Sequence, residues 1–193
     1  MNYRTITHTF TLATMGLLAS CGGGGHDDAK MAEHMAMMKA DSSMKATMTT
    51  REEGFRAVMG MFDSGNAEGL ENYVAENMMD HTPMPGMTST GMQGLKDMIA
   101  MHHAAFPDSK MTILSVAQNG DMLMAHFNMK GTNTGAMGAM PATGKAVDVN
   151  GVDVIRFEGD KAVEHWGYME DQKMMEQMGM MPPPGDMKDK KKM

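Results

Sequence analysis

The chain has 193 residues, a net charge of −7 and 5% aromatic residues. That length holds one domain with a core and extra chain at its ends, and the acidic balance argues against a nucleic-acid footprint, which needs a basic surface. A single cysteine excludes an internal disulfide, and 31 methionines against seven leucines set the composition apart.

The first stretch, "MNYRTITHTFTLATMGLLASC", has Arg4 near its start, a modestly apolar run and small residues before Cys21. This is the shape of a secretory signal, too short and too rich in threonine to span a bilayer stably. Its ending, Leu18-Ala19-Ser20-Cys21, resembles a bacterial lipobox. That resemblance makes residues 1–20 a lipoprotein signal peptide and Cys21 the lipidated mature N-terminus. The protein is then expected in the cell envelope, tethered to a membrane by its lipid chains and facing the periplasm or the cell surface. Gly22 after the cysteine resembles the sorting pattern for the outer membrane of Gram-negative bacteria.

Residues 21–49 are Gly-rich and then charged and methionine-rich, which reads as a flexible spacer with room for a short helix around 29–40. Within it "MAEHMAMM" gathers Met31, His34, Met35, Met37 and Met38. Thioethers are soft ligands that select Cu(I) and similar ions. Elsewhere the methionines stand where leucine usually would, as adaptable core filler.

The folded domain is expected over residues 50–180, with a Pro/Lys-rich disordered tail over 181–193. "TREE" gives a capping box, Thr50 with Glu53, and Phe55, Val58, Met59 and Phe62 follow at helical spacing. "SGN" stops that helix. "AEGLENYVAENM" predicts a second, with Leu70, Tyr73, Val74 and Met78 on one side. The Pro/Gly-punctuated "HTPMPGMTSTG" is a loop. A third helix, from about Gln93 to Ala105, carries Leu95, Met98, Ile99 and His102 on one stripe and ends before "FPD". The period then becomes two: strands over 110–118, 121–131, 146–158 and 161–170, divided by "NGD", a long loop and "EGD". A last short helix, "DQKMMEQMG", stops at Gly179. Three helices followed by an antiparallel meander is an α+β layout with the helices on one face of a curved sheet.

Alternation places Asp153 with Val147, Val149, Gly151, Ile155 and Phe157 on the more apolar face of the third strand, where an unpaired carboxylate is costly. In the fourth strand Val163, His165, Gly167 and Met169 share one face and Glu164, Trp166, Tyr168 and Glu170 the other. The "EGD" hairpin brings Asp153 and His165 nearly opposite, with the register open by one residue. If they meet, the carboxylate fixes the imidazole's tautomer and favours its protonation. His102 reads as a core or pocket-edge residue, and His81 lies in a loop where side chains can turn into a cavity. No HxxxH, CxxC or carboxylate cluster appears, so no dedicated zinc or iron site is expected.

From about residue 50 to 179 the chain resembles the SnoaL-like polyketide cyclase or ester cyclase group of the nuclear transport factor 2-like superfamily. The resemblance is carried by "DHTPMPG", "GLKDMIAMHHAAFPD", "GTNTG", "MPATGKAV", "GVDVIRFEGDKAVEHWGYMED" and "MMEQMG", in that order. It implies a cone-shaped α+β barrel, with three N-terminal helices packed on a strongly curved antiparallel sheet around a deep pocket. Many superfamily members are dimers, which leaves a homodimer open here.

Members of this type close a polyketide ring by intramolecular aldol condensation without metal or nucleotide cofactor, so no cofactor is expected. In them a catalytic aspartate lies two residues after the histidine of the last strand, and that position here is Gly167. Asp153 is then the remaining pocket carboxylate, His165 its proton partner, and His81 a rim contact. The reading is an exported, lipid-anchored domain that binds a small hydrophobic carbonyl compound, with cyclase- or isomerase-type acid/base work by Asp153 and His165. The alternatives are a pocket protein without catalysis, or a methionine-rich Cu(I)- or Ag(I)-binding envelope protein.

Overall fold

The computed structural model describes residues 24–84 and 87–181. Cys21, the signal segment and residues 182–193 of the tail lie outside the described residues. The chain divides into two units, Met1–Asp41 and Ser42–Met193. In the first, the described residues are helical from Gly24 onward.

Helix α1 is Gly24–Ser64, so it does not begin at a Thr50 cap. The hydroxyls of Thr49 and Thr50 instead donate to the carbonyls of Lys45 and Ala46, one turn back, as they do inside a continuing helix. The expected spacer residues are largely Ala, Met, Lys and Glu, which are strong helix formers, and no proline interrupts them.

The second predicted helix is absent. Gly69 adopts φ 80°, Leu70–Asn72 form a single 3-10 turn, and strand β1 runs Val74–Asp80. The misreading has a simple cause: Val74 and Met78 are four apart, and a spacing of four keeps two residues on one face of a helix and of a strand alike. Both are buried.

The remaining elements follow the sequence pattern closely. They are α2 Gly91–Ala105, β2 Lys110–Asn119, β3 Met122–Thr132, β4 Ala146–Glu158, β5 Lys161–Met169 and α3 Asp171–Met178. Gly179 closes α3 in the left-handed conformation at φ 73°, which a residue without Cβ adopts at no steric penalty.

The sheet has the order β1-β5-β4-β3-β2. Strands β2 to β5 form the antiparallel meander, and β1 joins the edge parallel to β5. It is an open sheet, with α1 and α3 packed on the face that Val147, Val149, Ile155 and Phe157 of β4 share. Phe55 and Met59 of α1 pack on Leu123, Ala125, Phe127, Ile155 and Phe157 of β3 and β4. Arg51 ties the helix to both hairpin turns: its guanidinium donates to the carbonyls of Gly159 (2.7 and 2.9 Å) and Gly120 (2.9 Å) and lies over the Phe157 ring. A buried cation is tolerated because its donors are occupied.

Candidate functional site

The site is built around a fault in the last hairpin. Glu158 pairs with Lys161 and Phe157 with Ala162, but Arg156 pairs with Glu164, so Val163 is an extra residue on β5. A bulge of this kind moves all later side chains to the other face. It turns His165 inward and sets Gly167, not His165, directly opposite Asp153. The two side chains still meet on the diagonal, within reach for long groups. His165 Nε2 lies 3.3 Å from Asp153 Oδ1.

His165 has a second partner that the sequence reading did not identify. Asp80, the last residue of β1, is in register with His165 across the parallel pair. Its Oδ1 lies 3.1 Å from His165 Nδ1. Both ring nitrogens therefore donate, and the imidazole sits as a cation between two carboxylates. Thr82 completes the arrangement: its backbone N–H donates to Asp80 Oδ1 at 3.0 Å and its hydroxyl donates there at 3.4 Å. The same hydroxyl oxygen accepts from the backbone N–H of Gly167 at 2.7 Å.

Electrostatics follow from these contacts. Burial alone would push the His165 imidazole down, but the hydrogen bonds and charges of Asp153 and Asp80 outweigh it and raise its pKa to about 9. For Asp80, burial raises the carboxyl, yet the hydrogen bonds from His165 and Thr82 hold it below the ordinary range.

These groups line a cavity of about 920 Å³ between α1, α2, β1 and the sheet. Phe55, Phe62, Met98, Phe127 and Ile155 give it an apolar wall, with Asp80, Asp153 and His165 on one side. The Asp153 carboxylate makes no hydrogen bond other than that to His165 among the described residues. Its second oxygen is thus available to a ligand. Gly167 faces the same cavity, and a Cβ there would stand 2.9 Å from His165 Cε1 and 3.2 Å from Asp153 Oδ1. The absence of a side chain at Gly167 is what leaves space for this carboxylate–imidazole pair.

His102 also lines the cavity, as expected from its stripe on α2. Its Nε2 lies 3.0 Å from the Ser109 hydroxyl, and the ring meets Phe62 edge-on at 5.5 Å. Burial pushes its pKa down to about 4, against a smaller upward pull from Asp63. It is a neutral imidazole.

His81 is a correction. It is not at the pocket: its ring stacks on Trp166 at 4.3 Å and its Nε2 lies 2.7 Å from Glu164 Oε2, on the opposite face of β5. His81 follows Asp80, the last residue of β1, and its N–H still donates to the His165 carbonyl at 2.9 Å, so the alternation carries on by one residue and one side chain turns in and the other out. A strand reading of 74–80 would have selected Asp80, two residues beyond the buried Met78.

Three comparisons bear on what the arrangement is. No curated protein matches the chain by sequence. Among solved structures it is similar to TsrD from Streptomyces laurentii, at 20% identity and TM-score 0.62, over 70% of this chain and 97% of that one. It is also similar to a SnoaL-like polyketide cyclase from Agrobacterium tumefaciens, at 19% identity and TM-score 0.56, over 67% and 98%. At such identities the likeness concerns the fold alone. The family model described as SnoaL-like polyketide cyclase matches residues 53–178, which include the cavity-lining strands and helix α2. On that match and the shared fold, the chain belongs to the SnoaL-like polyketide cyclase family.

Proposed function

We propose that the domain binds a small hydrophobic carbonyl compound in its cavity and moves a proton at the carbon next to the carbonyl, with Asp153 as the base. The reading is carried by one observation: a carboxylate with one oxygen held by His165 and the other without a partner among the described residues, at the wall of a mainly apolar cavity. In the proposed step the C–H bond breaks, an O–H bond forms on Asp153, and the electron pair moves into the carbonyl as an enolate. The enolate carbon then attacks a second carbonyl, whose oxygen takes the proton back from Asp153. An isomerase would return it to another carbon of the same ligand. No oxidant or reductant is consumed. His165 positions Asp153, and Asp80 positions His165. A water-poor cavity strengthens each of these interactions.

The family resemblance puts the base two residues after His165, where this chain has Gly167. Asp153, directly across the ladder from Gly167, supplies a carboxylate to the same space from the neighbouring strand. The test is exchange of α-protons of enolisable ketones in D2O, followed by NMR. Asp153→Asn should slow exchange roughly 100-fold or more, the usual worth of a positioned base. The double variant Asp153→Gly with Gly167→Asp should recover part of it. Full exchange by Asp153→Asn would remove the residue from the chemistry. Ligand retention in native mass spectrometry with no exchange above solvent would favour a binding protein, a reading supported by the glycine at the family's base position.

We also propose the lipid tether at Cys21, on the strength of Leu18-Ala19-Ser20-Cys21. Metabolic labelling with palmitate should mark the chain and be lost in Cys21→Ser; equal labelling of both would refute it.

A further inference from the structure

We propose that the exposed face of α1 formed by Met31, His34, Met35 and Met38 binds one soft monovalent d10 cation, Cu(I) or its analogue Ag(I). The inference is independent of the cavity chemistry.

Many methionines of the domain act as filler: Met59, Met78, Met129 and Met178 are at most 5% exposed and lie in the three apolar clusters. Met79 of β1 and Met124 of β3 are exposed exceptions, at 57 and 45%. Met31, Met35 and Met38 are 62, 64 and 62% exposed and fill nothing. Composition separates a ligand role from a docking role. Residues 24–48 contain no Leu, Ile, Val, Phe, Tyr or Trp. A helix face selected for apolar contact draws on those residues too, whereas this one takes its bulk from sulfur alone.

Helix geometry then supplies the site. Positions i, i+3, i+4 and i+7 fall within an arc of about 100° and span about 10 Å of the axis. Neighbouring positions three or four apart bring Cβ atoms to about 5–6 Å. His34 and Met35 occupy the middle, with Met31 one turn before and Met38 one turn after. Thioether side chains have three rotatable bonds, so their sulfurs converge on a shared ion without strain in the helix. Thioether with imidazole is a donor set that favours Cu(I) over hard divalent ions. Met37 points about 100° away from Met38 and stands off this face.

The experiment uses the full chain carrying 13C-methyl methionine. Ag(I) titration should saturate at one ion and shift the methyl resonances of Met31, Met35 and Met38, each assigned by single Leu substitution. Met31→Leu/Met35→Leu/Met38→Leu keeps size and helix propensity. It should weaken Cu(I) binding, read anaerobically against a chromophoric chelator, on the order of 100-fold, no less than the loss of an outer-shell partner costs. Met37→Leu should leave it unchanged. Circular dichroism should show equal helicity in all variants. Equal binding by the triple variant, shifts confined to other methionines, or Zn(II) bound as tightly as Cu(I) would each overturn the proposal. So would peroxide converting these three methionines to sulfoxides at the same rate with and without Ag(I).

Discussion

Two histidines line one cavity and are held in opposite charge states. His165 is raised to about 9 and His102 lowered to about 4. Burial acts on both in the same direction, against the charged ring. What differs is the company. His165 has a carboxylate on each nitrogen, Asp80 and Asp153, whereas His102 has the hydroxyl of Ser109 and the ring edge of Phe62. Ionic partners overcome desolvation and a neutral hydroxyl does not. Environments that push like groups apart in this way are what separates proton donors from acceptors in a site.

The largest expected effect comes from removing that difference. Asp80→Asn with Asp153→Asn leaves His165 with amide partners, and burial then takes its pKa below 6.5. Stability at pH 6 should fall by about 3 kcal/mol, the worth of the shift it loses, as read by urea unfolding. A loss near zero would mean that the carboxylates do not hold the imidazolium.

The pH dependence of the unaltered protein is the next test, and the two histidines enter with opposite signs. His165 is more basic folded than unfolded, so its contribution is complete below about pH 6.5 and is lost as pH rises through about 9. His102 is less basic folded, so its penalty grows as pH falls from about 6.5 to 4. Each limb amounts to about 3 kcal/mol at most. Denaturation from pH 4 to 9.5 should show a maximum near 6.5. Asp80→Asn/Asp153→Asn should flatten the alkaline limb and steepen the acid one, because burial then holds His165 below 6.5, whereas His102→Gln should flatten the acid limb only.

Gly167→Ala is expected to cost about 1–3 kcal/mol by overpacking, because its Cβ would press on the imidazole ring and on Asp153. The His165 resonances should then titrate below pH 9, as the 3.3 Å contact opens. The smallest effect is Ser109→Ala, about 1 kcal/mol for one hydrogen bond. His102 should still titrate near pH 4, because burial and not the hydroxyl keeps it neutral. An upward move toward 6.5 would reverse that assignment.

Local sequence determined much of this protein. Alternation in β4 placed Asp153 with Val149 and Ile155 on the buried face, since strand period is a property of neighbours along the chain. The turns at "NGD" and "EGD" and the stop at Gly179 likewise rest on local backbone preference. The family motifs between residues 80 and 179 identified the fold.

Three features were decided by tertiary structure alone. The Val163 bulge sets which residue opposes Asp153, and it depends on the pairing of two strands, not on the letters of one. Residues 74–80 become a strand because β5 offers an edge, although Val74 and Met78 suit a helix equally. Asp80 reaches His165 across 85 residues of sequence, a contact that no periodicity within either segment contains. The pocket's wall was therefore legible from the chain, while the cluster that charges His165 exists only once the parallel edge strand has docked.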